Sequence, residues 1–229
     1  MDTATPAVTV ALHDGESVLA EARQVDARRH GELLLPAVDR VTKEAGRTLD
    51  EVTGLVVGVG PGPYTGLRVG LVTAATFASA LGVPVHGLCT LDGLAYASGI
   101  EEPFAVATDA RRKEVYAAAY VLGDARADRV TEPAVSRASD LPTEARALPT
   151  AGRGPGLYAE ALPRAVEPLD VSGGALADLA VRRLAAAAHP AATELQWIDP
   201  GHGFDGLEPL YLRRPDAAPA PPSTKSTLG

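Results

Sequence analysis

The run Gly58-Val59-Gly60-Pro61-Gly62-Pro63-Tyr64-Thr65-Gly66-Leu67-Arg68 holds the clearest potential for chemistry in this chain. It joins an apolar, valine-rich stretch from Leu55 to Val59, which reads as a buried strand, to a helix predicted from Thr65 to Leu81. A glycine-rich turn lets backbone approach a ligand closely. The helix start beyond it offers unpaired N–H groups and the positive end of a helix dipole. Together they suit an anion, with Gly60, Gly62, Tyr64, Thr65, Gly66 and Arg68 as the residues in play. Neither common nucleotide fingerprint is met. The Walker pattern needs Lys and then Ser or Thr after its last glycine, and the dinucleotide pattern needs a third glycine where Pro63 stands. A tight strand-to-helix turn with no ligand accounts for the same residues.

Other reactive side chains are scattered. His13, His30, His86, His189 and His202 have no metal-ligand spacing to one another. Cys89 ends an apolar strand and reads as a small core residue; a lone cysteine excludes an internal disulfide and a Cys-rich zinc site. Asp109 to Glu114 forms a charged turn between two strands. Its Arg111, Arg112 and Lys113 are candidates for contact with RNA or an acidic partner, against the alternative of a solvated turn.

The helix after the glycine run carries a second signal. Arg68 is its only charged residue between Thr65 and Leu81. A helix without a polar face is fully buried or lies at an interface, and a chain this small leaves one flank to be covered. Gly66, Gly70, Ala74, Ala75, Ala78 and Ser79 make a smooth surface, and the preceding helix adds Leu33, Leu34, Ala37, Val38 and Val41. The expectation is a two-helix platform that meets a similar platform on another protein, unless the second half of the chain covers it. Arg at Ala75 or Ala78 is then expected to abolish assembly by burying an unpaired charge.

The elements that position these residues follow from pattern. Thr5 to Leu12 and Ser17 to Ala22 read as strands joined at Asp14-Gly15. His30 to Ala45 is a helix with Pro36 near its first turn and Gly46 as its stop. Val83 to Leu88 is a strand and Thr90 to Ser98 a helix. The order β-β-α-β-α-β-α fits a mixed sheet with helices packed on it. Glu101-Glu102-Pro103 reads as a domain joint, dividing residues 1–101 from 102–215. The second part has strands at Phe104 to Thr108, Val115 to Leu122, Arg129 to Val135 and Leu148 to Ala151. A short helix is capped at Ser139, Gly152 to Gly156 is a loop, Gly173 to Ala188 is a long helix, and Pro209 to Arg213 is a last strand. Residues 216–229 read as a disordered tail. A net charge of −8, from 21 basic and 29 acidic residues, argues against autonomous nucleic-acid binding. The start lacks a signal peptide's basic and apolar regions, and no apolar run is long enough to span a bilayer, so a cytoplasmic location is expected.

Taken in order, the motifs resemble those of the bacterial TsaB family, once grouped as glycoprotease-like YeaZ proteins. Gly60 to Gly70 is similar to its GPGSFTGLR signature. Asp2-Thr3-Ala4 resembles the Asp-Thr-Ser/Ala opening, His30 to Pro36 the HSExLLP helix start and Leu91 to Ala95 the SLEALA segment. Asp109 to Tyr116 resembles the DARRGEVY turn, and Pro209 to Arg213 the closing PxYLR. The resemblance implies an actin- and sugar-kinase-like (ASKHA) α/β fold of two lobes. It implies a non-catalytic subunit in the formation of threonylcarbamoyladenosine in tRNA. That subunit would pair through its first two helices with the catalytic TsaD subunit, and a TsaE ATPase would join them. ATP and a divalent metal would belong to those partners, and a homodimer would form in their absence. The catalytic relative's His-x-x-x-His pair is broken here, since Leu34 follows His30 by four residues. Rival readings are a weak ATPase, a metallopeptidase or a homodimeric interaction module. In an ATPase fold Asp2 would be the remnant of a phosphate- or Mg-handling carboxylate, or else a turn cap. Gly173-Gly174 resembles an adenosine motif without its surrounding acidic and threonine residues. Family members carry an apolar strand before the Asp-Thr opening, so the true start is expected upstream of Met1.

Overall fold

The computed structural model describes residues 1–121, 123, 127–187, 196–198 and 207–212. The chain opens with a hairpin of β1 (Ala7–His13) and β2 (Val18–Val25), whose antiparallel register pairs Ala7 with Val25. Helix α1 (His30–Glu44) follows, then β3 (Leu55–Gly58), α2 (Tyr64–Leu81), β4 (Val85–Leu88) and α3 (Thr90–Ser98). Strands β3 and β4 are parallel, with α2 as the crossover between them. Gly82 ends α2 with φ 68°, a left-handed cap that glycine adopts without strain.

A six-stranded sheet comes next. β5 (Phe104–Asp109) pairs antiparallel with β6 (Glu114–Val121), and the short strands β7 (Asp128–Arg129) and β8 (Ala134–Arg137) both pair with β6. After α4 (Thr143–Arg146), β9 (Thr150–Ala151) lies parallel to β5; after α5 (Gly154–Leu157), β10 (Ala165–Val166) extends that edge. Helix α6 (Gly173–Ala187) and β11 (Gln196–Ile198) complete the order, with β11 antiparallel to β4.

Burial explains the layers. β1 is buried along its first half because α1 and α6 both pack on the hairpin. Leu33, Leu34, Val38 and Val41 of α1 meet Val8, Val10 and Ala22 of the strands. Leu67, Leu71, Ala74, Ala75 and Ala78 of α2 meet Val57, Val59 and Val85. Leu91 and Leu94 of α3 pack with Phe104, Val106 and Tyr120 of the larger sheet. None of the helices among the described residues is long and apolar enough to cross a membrane.

Several sequence expectations change. The stretch from Arg129 to Val135 splits into β7 and β8, which approach β6 separately. Gly154 to Leu157 is one helical turn rather than loop. Residues 209–212 form no strand; a backbone bond from the Leu210 N–H to the Val59 carbonyl (2.8 Å) helps to dock them. Arg213 and the segment 216–229 lie outside the described residues. Pro36 stands in the second turn of α1, where the helix continues through it on an exposed face. There proline leaves the carbonyl of Glu32, itself an exposed residue, without a helical donor. Elements from both sides of residue 101 pack together: α6 lies on β1, β2 and β3, and β11 pairs with β4.

Candidate functional site

The glycine run and the chain's first residues build one structure. Asp2 pairs with Thr9 through two backbone bonds (2.9 and 3.0 Å), and the Gly58 N–H donates to the Met1 carbonyl (3.0 Å), so Met1 and Asp2 lie between β1 and β3. The Asp2 carboxylate accepts from the Ala4 N–H (2.7 Å) and from the Thr90 hydroxyl (2.6 Å). Thr90 Oγ1 also accepts from the Gly60 N–H (3.2 Å), and the Thr90 N–H donates to the Gly60 carbonyl (2.7 Å). Gly58 has no alternative residue here, since a Cβ would collide with the Asp2 carboxyl group. Asp2 is thus a buried structural clamp between the first residues, the glycine run and α3.

Burial raises the Asp2 pKa above its ordinary value, outweighing the two hydrogen bonds that oppose it. A carboxyl group raised in this way contributes stability below the ordinary carboxylate range. That contribution is lost as pH rises through the folded-state pKa. Asp2→Asn keeps an acceptor for Ala4 and lacks the titration. In urea unfolding, the stability of the variant relative to wild type is expected to increase from acid to neutral pH. A difference that is constant with pH would contradict this account.

Thr3 explains the glycines of α2. Its hydroxyl donates to the Gly66 carbonyl (2.7 Å) and accepts from the Gly70 N–H (2.9 Å), which are the partners of one helical bond. A Cβ on Gly66 would stand 2.7 Å from the Thr3 carbonyl oxygen, and one on Gly70 2.6 Å from the Thr3 hydroxyl. Gly62 likewise lies against the Ala4 backbone. These glycines admit the chain's own first residues.

This placement corrects the reading of the helical platform. Leu33, Leu34, Val38, Val41, Gly66, Gly70, Ala74, Ala75 and Ala78 are buried within the chain, and Ala37 is half-buried. Such side chains have little area left to give a partner. Arg at Ala75, which is 3% exposed, would disrupt the chain's own core and report nothing about docking. The outward half of α2 instead carries Thr65, Arg68, Val72, Thr76, Ser79 and Ala80. On α1, Leu35 and Pro36 face outward.

Tyr64 and Arg68 belong to an exposed cluster. The Arg68 guanidinium lies 3.9 Å from the centre of the Tyr64 ring, and its Nε donates to the Tyr211 hydroxyl (2.9 Å). Tyr64 and Tyr211 stack with ring centres 5.4 Å apart. Arg68 is thereby held by two tyrosines, and residues 207–212 are bound to the start of α2.

The start of α6 is already served by an anion from within. Glu21 Oε1 accepts from the Gly173 N–H (2.9 Å) and the Thr9 hydroxyl (3.2 Å), and Oε2 from the Ser172 hydroxyl (3.1 Å). A Cβ on Gly173 would press on Val10 and Ala11, and one on Gly174 on Val18. The Gly-Gly pair is a packing feature against the hairpin, where an adenosine motif would need open space. His30 is also structural: its Nε2–H donates to the Thr5 carbonyl (2.8 Å), tying α1 to the strand before it. Burial pushes the Cys89 thiol up to about 12, which keeps it protonated and unreactive. Among the described residues no three His, Cys, Asp or Glu side chains come together as a metal site.

Arg111, Arg112 and Lys113 are exposed at the β5–β6 turn, which Asp109 caps through the Arg111 N–H (2.8 Å). Sequence reasoning missed Asp92, which is 1% exposed. It accepts from the Tyr120 hydroxyl (2.8 Å) and pairs with Arg183 (3.1 Å) and Arg129 (3.4 Å). The available signal was a lone acid in the apolar segment Leu91-Asp92-Gly93-Leu94-Ala95.

Comparison with known proteins places this geometry among relatives. The family model described as TsaD, tRNA N6-adenosine threonylcarbamoyltransferase, matches residues 18–195. An uncharacterized protein of Mycobacterium tuberculosis is 41% identical over 96% of this chain and 92% of its own length. The tRNA threonylcarbamoyladenosine biosynthesis protein TsaB of Haemophilus influenzae is 34% identical over 56% of this chain and 55% of its own. The solved structure of YeaZ from Pseudomonas aeruginosa superimposes with a TM-score of 0.74 at 30% identity, covering 92% of this chain and 97% of that one.

Proposed function

The chain belongs to the tRNA N6-adenosine threonylcarbamoyltransferase family as a TsaB-like member, and from that premise we propose that it is a non-catalytic subunit in threonylcarbamoyladenosine formation. It pairs with a TsaD-like catalytic subunit and activates threonylcarbamoyl transfer to the adenosine next to the anticodon. A TsaE-like ATPase joins the pair, ATP and the divalent metal stay with the partners, and the assembly works in the cytoplasm. The lobes of an ASKHA-type fold carry this role.

One observation carries the reading: the outward half of α2 has a single charge, Arg68, and Val72 at its middle is 49% exposed. Such a face suits a packed helix of another subunit. The internal duties of Asp2, Glu21 and His30 support a non-catalytic role, because each is committed to holding the fold.

The test is reconstitution. The purified chain alone is expected to give no threonylcarbamoyl transfer to tRNA, and adding the TsaD-like subunit of the same organism gives both a stable pair and activity. Transfer by the chain alone, or failure to pair, would overturn the proposal. Sedimentation of the chain without its partner reports whether the same face forms a homodimer.

A further inference from the structure

We propose that the cleft between the first turn of α2 and the β5–β6 turn binds a phosphodiester group of an RNA strand. This deepens the reading above and rests on it for the identity of the RNA, which is the tRNA being modified. The cleft has a volume of about 260 Å³, and Arg28, His30, Thr65, Gly66, Asp109 and Arg111 are among its lining.

Cations from two distant parts of the sequence meet there. Among the described residues the Arg28 guanidinium has no ion-pair or hydrogen-bond partner; only its backbone N–H is bonded, to Asp26. Asp109 is the one carboxylate among the lining residues, and it is committed to Arg111. Its Oδ1 accepts the Arg111 N–H (2.8 Å), and its Oδ2 lies 3.2 Å from the Arg111 guanidinium. Asp109 therefore orients the turn, and its ion pair is with Arg111 and not with Arg28. Thr65 adds a hydroxyl donor from the start of α2, where the helix dipole favours negative charge.

The turn itself is unusual. Arg111, Arg112 and Lys113 all have positive φ, at 61°, 53° and 64°. This conformation costs a residue with a side chain about 1–2 kcal/mol. Bonds from the Ala110 N–H to the Glu114 carbonyl (3.0 Å) and from the Glu114 N–H to the Arg111 carbonyl (2.9 Å) hold it. The result is three cationic side chains at one exposed tip, with Arg111 at the cleft.

The chemistry favours a strand over a free nucleotide. Among the described residues no Phe, Tyr or Trp lines the cleft to stack a base. Lys113, exposed on the same turn, continues the positive charge, as successive phosphates require. The patch is small and the chain carries a net charge of −8, so this contact adds to an RNA held mainly by the partner subunit.

The experiment measures tRNA binding to the reconstituted pair against salt concentration, for wild type, Arg28→Glu and Arg111→Ala. Each variant is expected to weaken binding about tenfold at low salt and to lower the slope of log K against log salt by about one. Subunit pairing, read in the same samples by sedimentation, is expected to stay unchanged. Unaltered tRNA affinity and slope in a variant that still pairs would overturn the proposal. Inorganic phosphate and ATP are titrated into the isolated chain by NMR, which reports even if no pair forms. Saturable shifts at Thr65 with phosphate that vanish in Arg28→Glu support the site. No shift overturns it, and binding of ATP far tighter than phosphate overturns the assignment to RNA.

Discussion

Val72→Arg is expected to abolish pairing with the TsaD-like subunit while leaving the fold intact. Val72 is 49% exposed, at the middle of the outward half of α2. Arginine is a better helix former than valine, so the isolated chain should melt at an unchanged or slightly higher temperature. At a helix–helix contact, however, an uncompensated guanidinium costs about 3–5 kcal/mol, which is more than a hundredfold in affinity. Leu35→Arg, at a site 55% exposed on α1, should give a comparable loss. Ala75→Arg serves as the contrast. Ala75 is buried in the core cluster that also holds Val57, Val59 and Val85, so that variant should lose the fold first and pairing as a consequence. The measurement is pull-down or sedimentation of the pair beside circular dichroism of each variant. Pairing by Val72→Arg within about threefold of wild type, judged against the tenfold step per 1.4 kcal/mol, would place the docking face elsewhere.

That prediction turns on what pattern alone could not resolve. Element order was legible in the sequence because the apolar spacing changes between strand and helix and because Gly46 and Gly82 stop α1 and α2. The orientation of α2 was not legible. With Arg68 as its only charge, its apolar residues run all the way round, so periodicity does not mark the inward half. Small residues gave the opposite hint: Gly66 and Gly70 read as an approach surface for a foreign helix, whereas Thr3 of the same chain occupies it. The two- and three-residue strands β7, β10 and β11 exist through their neighbours' hydrogen bonds, and segments that short have no period of their own. Glu21 at the start of α6 was equally hidden, since the acid and the helix it serves are separated by 152 residues.

Asp92→Ala is expected to cost about 3–5 kcal/mol of folding stability, as removal of one partner from a buried ionic cluster does. The carboxylate is shared by Arg129, Arg183 and Tyr120, so α3, β6, β7 and α6 all lose a common partner at once. The two arginine side chains are only 13% and 14% exposed, so water cannot easily replace the lost charge. Asp92→Asn should fall between, because its amide oxygen still accepts from Tyr120 while the charge is gone. The decisive comparison is Asp92→Ala with Arg183→Met. If the loss comes from a stranded guanidinium, the double variant should be more stable than Asp92→Ala alone, giving a coupling of about 0.5–3 kcal/mol in the cycle. Urea unfolding of the four proteins reads this directly. A loss below 1 kcal/mol for Asp92→Ala would mean that apolar packing of Tyr96 with Leu176, Leu179 and Ala180 holds α3 to α6 without the carboxylate. Strict additivity with a large loss would mean that Asp92 acts through Tyr120 and Arg129 instead. The cluster matters for the proposed role because α3 also presents Thr90, whose hydroxyl fixes Asp2 and Gly60 at the start of the glycine run. A chain lacking Asp92 should therefore lose partner binding in proportion to the fraction unfolded, whereas Val72→Arg loses it while folded.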